Sequence, residues 1–319
     1  MKVADPDNIR LAMLGMVEGN GHPFSWSAII NGDYDAQAMA ACGYPVIPEY
    51  LGAQPREALG IPGAKVTHVW CDDPADAARV AEASCVPNVA ARAEDVIGEV
   101  DAVLIATDIG SEHVERARPF VEAGLPVFVD KPLADNAADL RQFMAWQAAG
   151  KAILSSSCMR YAKEFAALRE RMEDIGEARL ITVTMAKSVE RYGIHAIEAV
   201  YPFLAAGGHM AVTHTGTPGR DLLRVAHESG VETVMAVMED LYGAFGHVQV
   251  YGTEGADGAV FQDTFFAFKA QLEAYVNYLR TGVAPFPFEE TVEQIRILIA
   301  ALVSREAGGR PVALTDVGV

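Results

Sequence analysis

The sequence predicts an α/β protein in which a doubly wound parallel sheet precedes an α+β domain with a mainly antiparallel sheet. Three observations carry this. In the first half, strand-like and helix-like segments alternate, the pattern of repeated β-α units. The strand-like segments there, such as "VDAVLIATD", are apolar on both faces, as strands buried between two helix layers must be. In the second half, several strand-like segments follow one another with only glycines and polar turns between them, which predicts antiparallel pairing.

The elements read off in order. "RLAMLG" is a short apolar strand. "HPFSWSAIINGD" reads as a helix with Pro23 in its first turn, where a missing N–H costs little. "AKVTHVWCDD" is a second strand ending in acids, and "PADAARVAEASC" a helix opened by Pro74. After the strand "VDAVLIATD" comes the helix "SEHVERARPFVEAG", stopped by Gly124. Strand "PVFVDKP", helix "NAADLRQFMAWQAAG" and strand "AILSSSC" complete the first half. The segment "GYPVIPEYLGAQPREALGIPGA" interrupts the second β-α unit, and its prolines and glycines predict a surface loop or lid.

The second half opens with a helix near Tyr161–Glu173, the strand "ARLITVTMAK" and the helix "GIHAIEAVYPFLAAG". Strands "HMAVTHT", "DLLRVAHE", "VETVMAVMED" and "HVQVYGTEG" follow. Helices at Thr264–Arg280 and Glu289–Ala307 close the chain. The change of pattern divides it into residues 1–156 and 157–319.

Composition narrows the function classes. The chain has 319 residues, 51% apolar and 21% charged, with a formal net charge of −18. Such an acidic surface repels phosphate backbones, so neither nucleic acid nor an anionic membrane is expected as a partner. Cys42, Cys71, Cys85 and Cys158 form no C-x-x-C pair and no disulfide framework. Reduced thiols, the lack of a long apolar run near the N-terminus and of any membrane-span-length apolar run predict a cytoplasmic protein.

Ligands of an open parallel sheet bind at the carboxyl ends of its strands, and three sequence features fall there. The first is "LAMLGMVEGNGHPFSW", where Gly15, Gly19 and Gly21 are spaced G-x-x-x-G-x-G. Glycines there permit close approach to a pyrophosphate, but the spacing fits a ligand-free tight turn equally well. The second is Asp72, placed to bond the ribose hydroxyls of NAD, with Asp73 as a helix cap before Pro74. The third is Lys131 in "VFVDKPLA", held on a rigid strand end where it is either a site charge or a solvated terminus. "SSSCMRY" adds Ser157, Arg160 and Tyr161 near the domain junction, for substrate contact or interdomain packing. His195 and Glu198 lie at i, i+3 on one helix, with His209 and His214 further on; two ligands do not make a site, and no metal is expected.

"VDAVLIATDIGSEHVERARPFVEAGLPVFVDKPLA" resembles the glucose–fructose oxidoreductase / inositol dehydrogenase / MocA family of NAD(P)-dependent sugar and cyclitol dehydrogenases. The family's strand, "ATP…H" turn, "AGKHV" segment and "EKPLA" box have counterparts in order, with Asp130 in place of the glutamate. "GIHAIEAVYPFLAAG" is similar to the family's "DLGVHLLDLLRWLLG", and the likeness continues through "VQVYGTEG" and the last helices.

The resemblance implies a Rossmann domain over residues 1–156 and a substrate-binding and oligomerisation domain over 157–319. It implies Lys131 and His195 as catalytic groups, Thr107 and His113 beside the nicotinamide ribose, and Gly15, Gly19 and Gly21 against the diphosphate. Arg160, Tyr161, Arg191 and Glu198 become candidate substrate contacts. The implied cofactor is NAD rather than NADP, because Asp72 would repel a 2′-phosphate and no arginine directly follows it. The implied partner is a small carbohydrate or cyclitol, and the implied assembly a homodimer or homotetramer.

The sequence also departs from the family. Arg191 stands where the family has an aspartate, Glu198 where it has a later one, and Glu18 lies in the glycine loop. Arg191 is expected either to hold an anionic substrate or to pair with Glu190, Glu198 or another acid. Three functions are consistent with these features: hydride transfer between nicotinamide and a sugar or cyclitol hydroxyl, a redox-neutral lyase or hydrolase that keeps NAD bound, and a non-catalytic sugar- or nucleotide-binding protein.

Overall fold

The computed structural model describes residues 1–319. The first sheet comprises β1 (Ile9–Leu14), β2 (Ala64–Trp70), β3 (Asn88–Val89), β4 (Ala102–Ile105), β5 (Val127–Val129) and β6 (Ile153–Leu154). Its order is β3-β2-β1-β4-β5-β6 and every pair is parallel. The order reverses between β1 and β4, which opens a crevice at their carboxyl ends. β4 is buried at all four positions, as its two-sided apolar pattern requires.

Helices α1 (His22–Asn31), α2 (Ala36–Ala40), α3 (Val46–Gly52), α4 (Pro74–Ala83), α5 (His113–Glu122) and α6 (Ala137–Ala148) accompany this sheet. Asp73 caps α4 by accepting from Ala75 N, and Asn136 caps α6 by accepting from Asp139 N. The Pro/Gly-rich segment is more ordered than a loop. Pro45 opens α3, whose Ile47 and Leu51 are buried, so two apolar anchors fold the insertion onto the domain.

The second half starts with α7 (Lys163–Glu170) and a seven-stranded sheet. Its strands are β7 (Ala178–Ala186), β8 (His209–Thr217), β9 (Arg220–His227), β10 (Glu232–Met238), β11 (His247–Gly252), β12 (Ala256–Val260) and β13 (Val312–Ala313). The order is β12-β11-β7-β10-β9-β8-β13; β7 and β10 pair in parallel and the other neighbours antiparallel. β3, β12 and β13 are absent from the sequence reading: two are two-residue strands and β12 is glycine-bearing, too short or too polar for a periodic signal.

Alternation places Met235 and Val237 of β10 in the core beneath α8 (Val189–Val200) and α10 (Phe288–Glu306). The alternate positions, Val234 and Ala236 beside Leu222 of β9, form the opposite, half-buried face. The last long helix but one, α9 (Thr264–Thr281), returns to the first domain. Its Phe268, Leu272 and Val276 share a core with α1, β1 and β2. A second core joins β4, β5, α5 and α6 to the second sheet, α8 and α10. The two halves are therefore knitted together on both faces of the first sheet, and the cleft between them is held by packed helices. No helix is long and apolar enough to cross a membrane, and no two of the four cysteines are bonded.

Candidate active site

The cleft lies where β1, β5 and β7 deliver their following residues. A cavity of about 250 Å³ opens there, walled by Tyr44, Ile47 and Tyr50 of the insertion and by Phe261 and Phe268. Its polar lining includes Asn20, His22, Ser25, Lys187, Tyr192, His195 and Thr264, and no carboxylate is among its lining residues.

α8 brings His195 and Tyr192 to the cavity on successive turns, with their rings edge to face at 4.8 Å. His195 Nδ1 lies 2.6 Å from Ser157 Oγ, which fixes the ring. Burial pushes the imidazole well below its ordinary pKa, and the positive charges of Lys131, His22 and Lys187 push it the same way. A neutral histidine anchored through Nδ1 is a base in waiting.

Lys131 is buried, with 2% of its side chain exposed. Its ammonium lies 3.3 Å from Asp108 Oδ2 and 4.6 Å from the centroid of the Tyr192 ring. Burial would lower its pKa, but Asp108 and then Asp130 raise it, so it is charged. It stands behind Tyr192 and is not among the cavity-lining residues; it is a buried charge, not a solvated strand end.

Asp108 accepts from Lys131 and, at 2.6 Å, from Arg191 Nη2. Burial would raise its carboxyl, but the charges of Lys131 and Arg191 win and hold it at about 2. Arg191 thus pairs with an acid, but not with Glu190 or Glu198. Glu190 binds Arg305, and Glu198 accepts from Ser157 N and Arg160 Nε. The Arg191 Nη2 group also reaches the Glu18 carbonyl at 3.0 Å. The glycine loop is thereby tied to the second domain.

The other expected substrate residues lie off the cavity wall. Arg160 bridges Glu198 and Glu290 at 2.9 Å each, a buried ion-pair network behind His195. Burial raises the Glu198 carboxyl, opposed by Arg160 and the Ser157 N–H. Tyr161 is pushed up to about 12 by burial and packs against the first-domain core. These three residues serve the junction between domains, because the cavity opens on the Cys158–Met159 side of their turn. Glu198 is thus engaged by Ser157 and Arg160, and His195 by Ser157 through Nδ1.

The glycine loop divides its duties. Gly15 has φ +84°, and a Cβ there would lie 2.8 Å from Thr107 Cγ2. The Thr107 hydroxyl beside it is buried without a partner, an unsatisfied group that a ligand at the sheet edge would satisfy. Asp72 faces the same place. These residues fit a dinucleotide. Gly21 packs against the insertion. A Cβ there would meet Ile47 and Tyr44 at 2.6 and 2.8 Å, so this glycine makes room for the insertion. Gly19, at φ +81°, lies under the Arg191 guanidinium. The N–H of His22, at the start of α1, is taken by Asn20 Oδ1 at 3.0 Å.

His113 is fully buried between the carbonyls of Thr107 and Pro132, each at 2.9 Å. It pins the turn after β4 to the turn after β5 and is inaccessible to a cofactor. Asp72 is bridged by Arg116, whose Nη1 lies 3.1 Å from both carboxylate oxygens. The sequence shows no arginine next to Asp72, and this one arrives from α5.

Four further residues escape sequence reasoning: His22, Asp108, Lys187 and Tyr192. His22 Nδ1 lies 2.6 Å from Asp130 Oδ2, and its ring stacks on Trp26 at 4.4 Å. Asp130 also accepts from Asn20 Nδ2 and the Lys131 N–H. Lys187 has φ +67°, a left-handed conformation uncommon for a non-glycine residue. Its ammonium donates to Tyr192 Oη at 2.6 Å and to the Gly19 carbonyl at 3.4 Å. The histidine in "GNGHP" and the tyrosine one turn before His195 are the signals in the sequence.

Residues 40–156 match the model of the GFO_IDH_MocA oxidoreductase family, described as having an NAD-binding Rossmann fold. The glycine loop lies outside that match. Inositol 2-dehydrogenase 3 of Saccharopolyspora erythraea is 37% identical over 129 residues, 40% of this chain and 36% of that protein. The chain therefore aligns with about a third of this curated relative's length. The fold is similar to myo-inositol 2-dehydrogenase from Lactobacillus plantarum, with TM-score 0.74, 15% identity, and 96% and 99% of the two chains covered. It is also similar to scyllo-inositol dehydrogenase from Lactobacillus casei with bound NAD(H) and scyllo-inositol, with TM-score 0.72, 14% identity and 97% and 99% covered.

Proposed function

We propose, from the match of residues 40–156 to the oxidoreductase family with an NAD-binding Rossmann fold, that the chain is an NAD-dependent dehydrogenase acting on a hydroxyl-bearing carbon of a sugar, cyclitol or derivative. The observation that supports this best is His195, buried in the cavity wall and held by Ser157, which follows β6. In this reading Gly15, Asp72 and Thr107 hold the dinucleotide, whose nicotinamide accepts a hydride when bound. His195 takes the hydroxyl proton, and the Lys131 charge behind Tyr192 favours the developing alkoxide. The insertion's Tyr44 and Tyr50 exclude water from the cavity. Residues 1–156 and 157–319 divide cofactor from substrate, with α9 returning to brace the first. The open sheet face around Leu222, Val234 and Ala236 packs against a second copy in a homodimer or homotetramer.

The test is direct. Purified protein is incubated with NAD and a panel of inositols, aldoses and sugar acids, and absorbance of reduced nicotinamide is followed. Substrate-dependent reduction supports the proposal. Product formed without net reduction would point instead to redox-neutral chemistry, and failure of any dinucleotide to raise the melting temperature would remove the cofactor from the account.

A further inference from the structure

We propose that the substrate is a sugar acid whose carboxylate is held by Lys187. This rests on the dehydrogenase reading of the cavity and adds the chemical class of its ligand.

The first observation is charge. The whole chain carries a formal net charge of −18, yet none of the side chains lining this cavity is a carboxylate. Cavities that bind neutral polyols need hydrogen-bond acceptors to meet a ring of hydroxyl donors, and carboxylates are the strongest of these. Here the acids stand behind the wall and are already engaged. Asp108 is consumed by Lys131 and Arg191, and Asp130 by His22, Asn20 and the Lys131 N–H. Lys187 is the one lysine, arginine or carboxylate among the lining side chains. The lining thus has positive character on an acidic protein, and an anion is the ligand it complements.

The second observation is the state of Lys187. It has no carboxylate within 4.0 Å, and its ammonium makes two hydrogen bonds, to Tyr192 and Gly19. A lysine ammonium has three donors, so one remains for a ligand. Residue 187 ends the run after β7 in the left-handed region, where a non-glycine residue is strained and where the strain commonly serves a site. That conformation carries the ammonium over the Tyr192 ring, 4.2 Å from its centroid, next to His195.

The third observation separates carboxylate from phosphate. No arginine lines the cavity, and the one loop backbone group facing Lys187 is the Gly19 carbonyl, an acceptor. A phosphate with its several oxygens wants a fork or a nest of N–H groups. A single ammonium donor suits a carboxylate. About 250 Å³ is also room for one sugar ring and little more.

The experiment is isothermal titration of the full chain, with and without NAD, using D-glucuronate against D-glucose and D-galacturonate against D-galactose. Each pair differs by a carboxylate in place of a hydroxymethyl group. At least one uronate should bind on the order of 10-fold tighter than its neutral partner, with the advantage shrinking in added salt. Lys187→Met should abolish the advantage and Lys187→Arg should keep it; if the methionine variant does not fold, Lys187→Gln reads the same comparison. Neutral sugars binding as tightly, no heat from either uronate, or an advantage intact in the uncharged variants would overturn the proposal. Glucose 6-phosphate binding more tightly than glucuronate would overturn the carboxylate assignment. Failure of NAD to bind would strike the cofactor reading alone, because the sugar titrations are read without NAD as well.

Discussion

Arg191 donates to Asp108 across 2.6 Å, and the same carboxylate receives Lys131 on its other oxygen. The family pattern has an acid at position 191, supporting the histidine from its own helix. In this chain the helix carries the cation and the turn after β4 carries the acid. The pair ties α8 to the turn after β4 across the cleft.

The strength of this pair can be measured. In a double-mutant cycle, Asp108→Asn and Arg191→Met should be coupled by about 1–3 kcal/mol in urea unfolding, because the acid is 1% exposed and the pair is direct. Additive effects within about 0.5 kcal/mol would show that the contact contributes little to stability.

Lys131→Met should leave the fold in place and lower turnover on the order of 100-fold or more, as expected when a charge that stabilises an alkoxide is lost. Methionine is chosen because alanine would leave a void at a residue only 2% exposed. The measurement is kcat, with circular dichroism as the control for folding. Near-normal turnover would remove Lys131 from the reaction.

The architecture was legible because two periodicities are strong in this sequence. The two-sided apolar β4 and the alternating β7 and β10 state their environments residue by residue. Lys131 and His195 stand out in the sequence because both sit in ordered motifs. The partners that give them their chemistry were not. Asp108 and Arg191 are 83 residues apart, and His22 and Asp130 are 108 apart. Nothing local marks such pairs, since each is made by the sheet and cleft and not by neighbours in the chain. Arg116 shows the same limit. An arginine 44 residues away reaches Asp72, although no arginine directly follows that acid.

His22→Gln separates two roles for the residue bonded to Asp130. Glutamine retains an N–H donor for the carboxylate, so anchoring of the glycine loop should survive, while the imidazole that lines the cavity is lost. We expect turnover to fall on the order of 10-fold or more with NAD affinity changed by less than a few-fold. Unchanged turnover would assign His22 to loop anchoring alone.

Stability should fall as pH drops below the ordinary histidine range. His113 and His195 are buried, and burial lowers both from 6.5 in the folded chain. Below that pH the unfolded chain takes up protons that these two folded residues refuse, so unfolding is favoured. Above it both states are neutral there and the effect vanishes. The expected loss is on the order of 1 kcal/mol per histidine between pH 6.5 and 5.5. Urea unfolding across that interval checks it. In His113→Asn, which has no imidazole to titrate, the slope should flatten; an unchanged slope would assign the loss to other groups.

The last prediction concerns which dinucleotide binds. Asp72 is half exposed at the end of β2, and Arg116 lies against both its oxygens. An arginine at this place is the group that receives a 2′-phosphate in NADP-dependent relatives of the fold. Arg116, however, is already held by two acids, since Glu112 also accepts from it at 2.9 Å. One cation between two carboxylates leaves the surroundings negative, and a phosphate entering there would have to displace Asp72 from its partner. If the proposed reading of Asp72 holds, the arginine orients its carboxylate for a ribose diol. NAD should bind more tightly than NADP by calorimetry. Asp72→Ala should narrow or reverse the difference by freeing Arg116 for the phosphate, and adding Arg116→Ala should remove that gain. If the unaltered protein binds NADP more tightly, Arg116 outweighs both acids and the assignment of Asp72 is wrong.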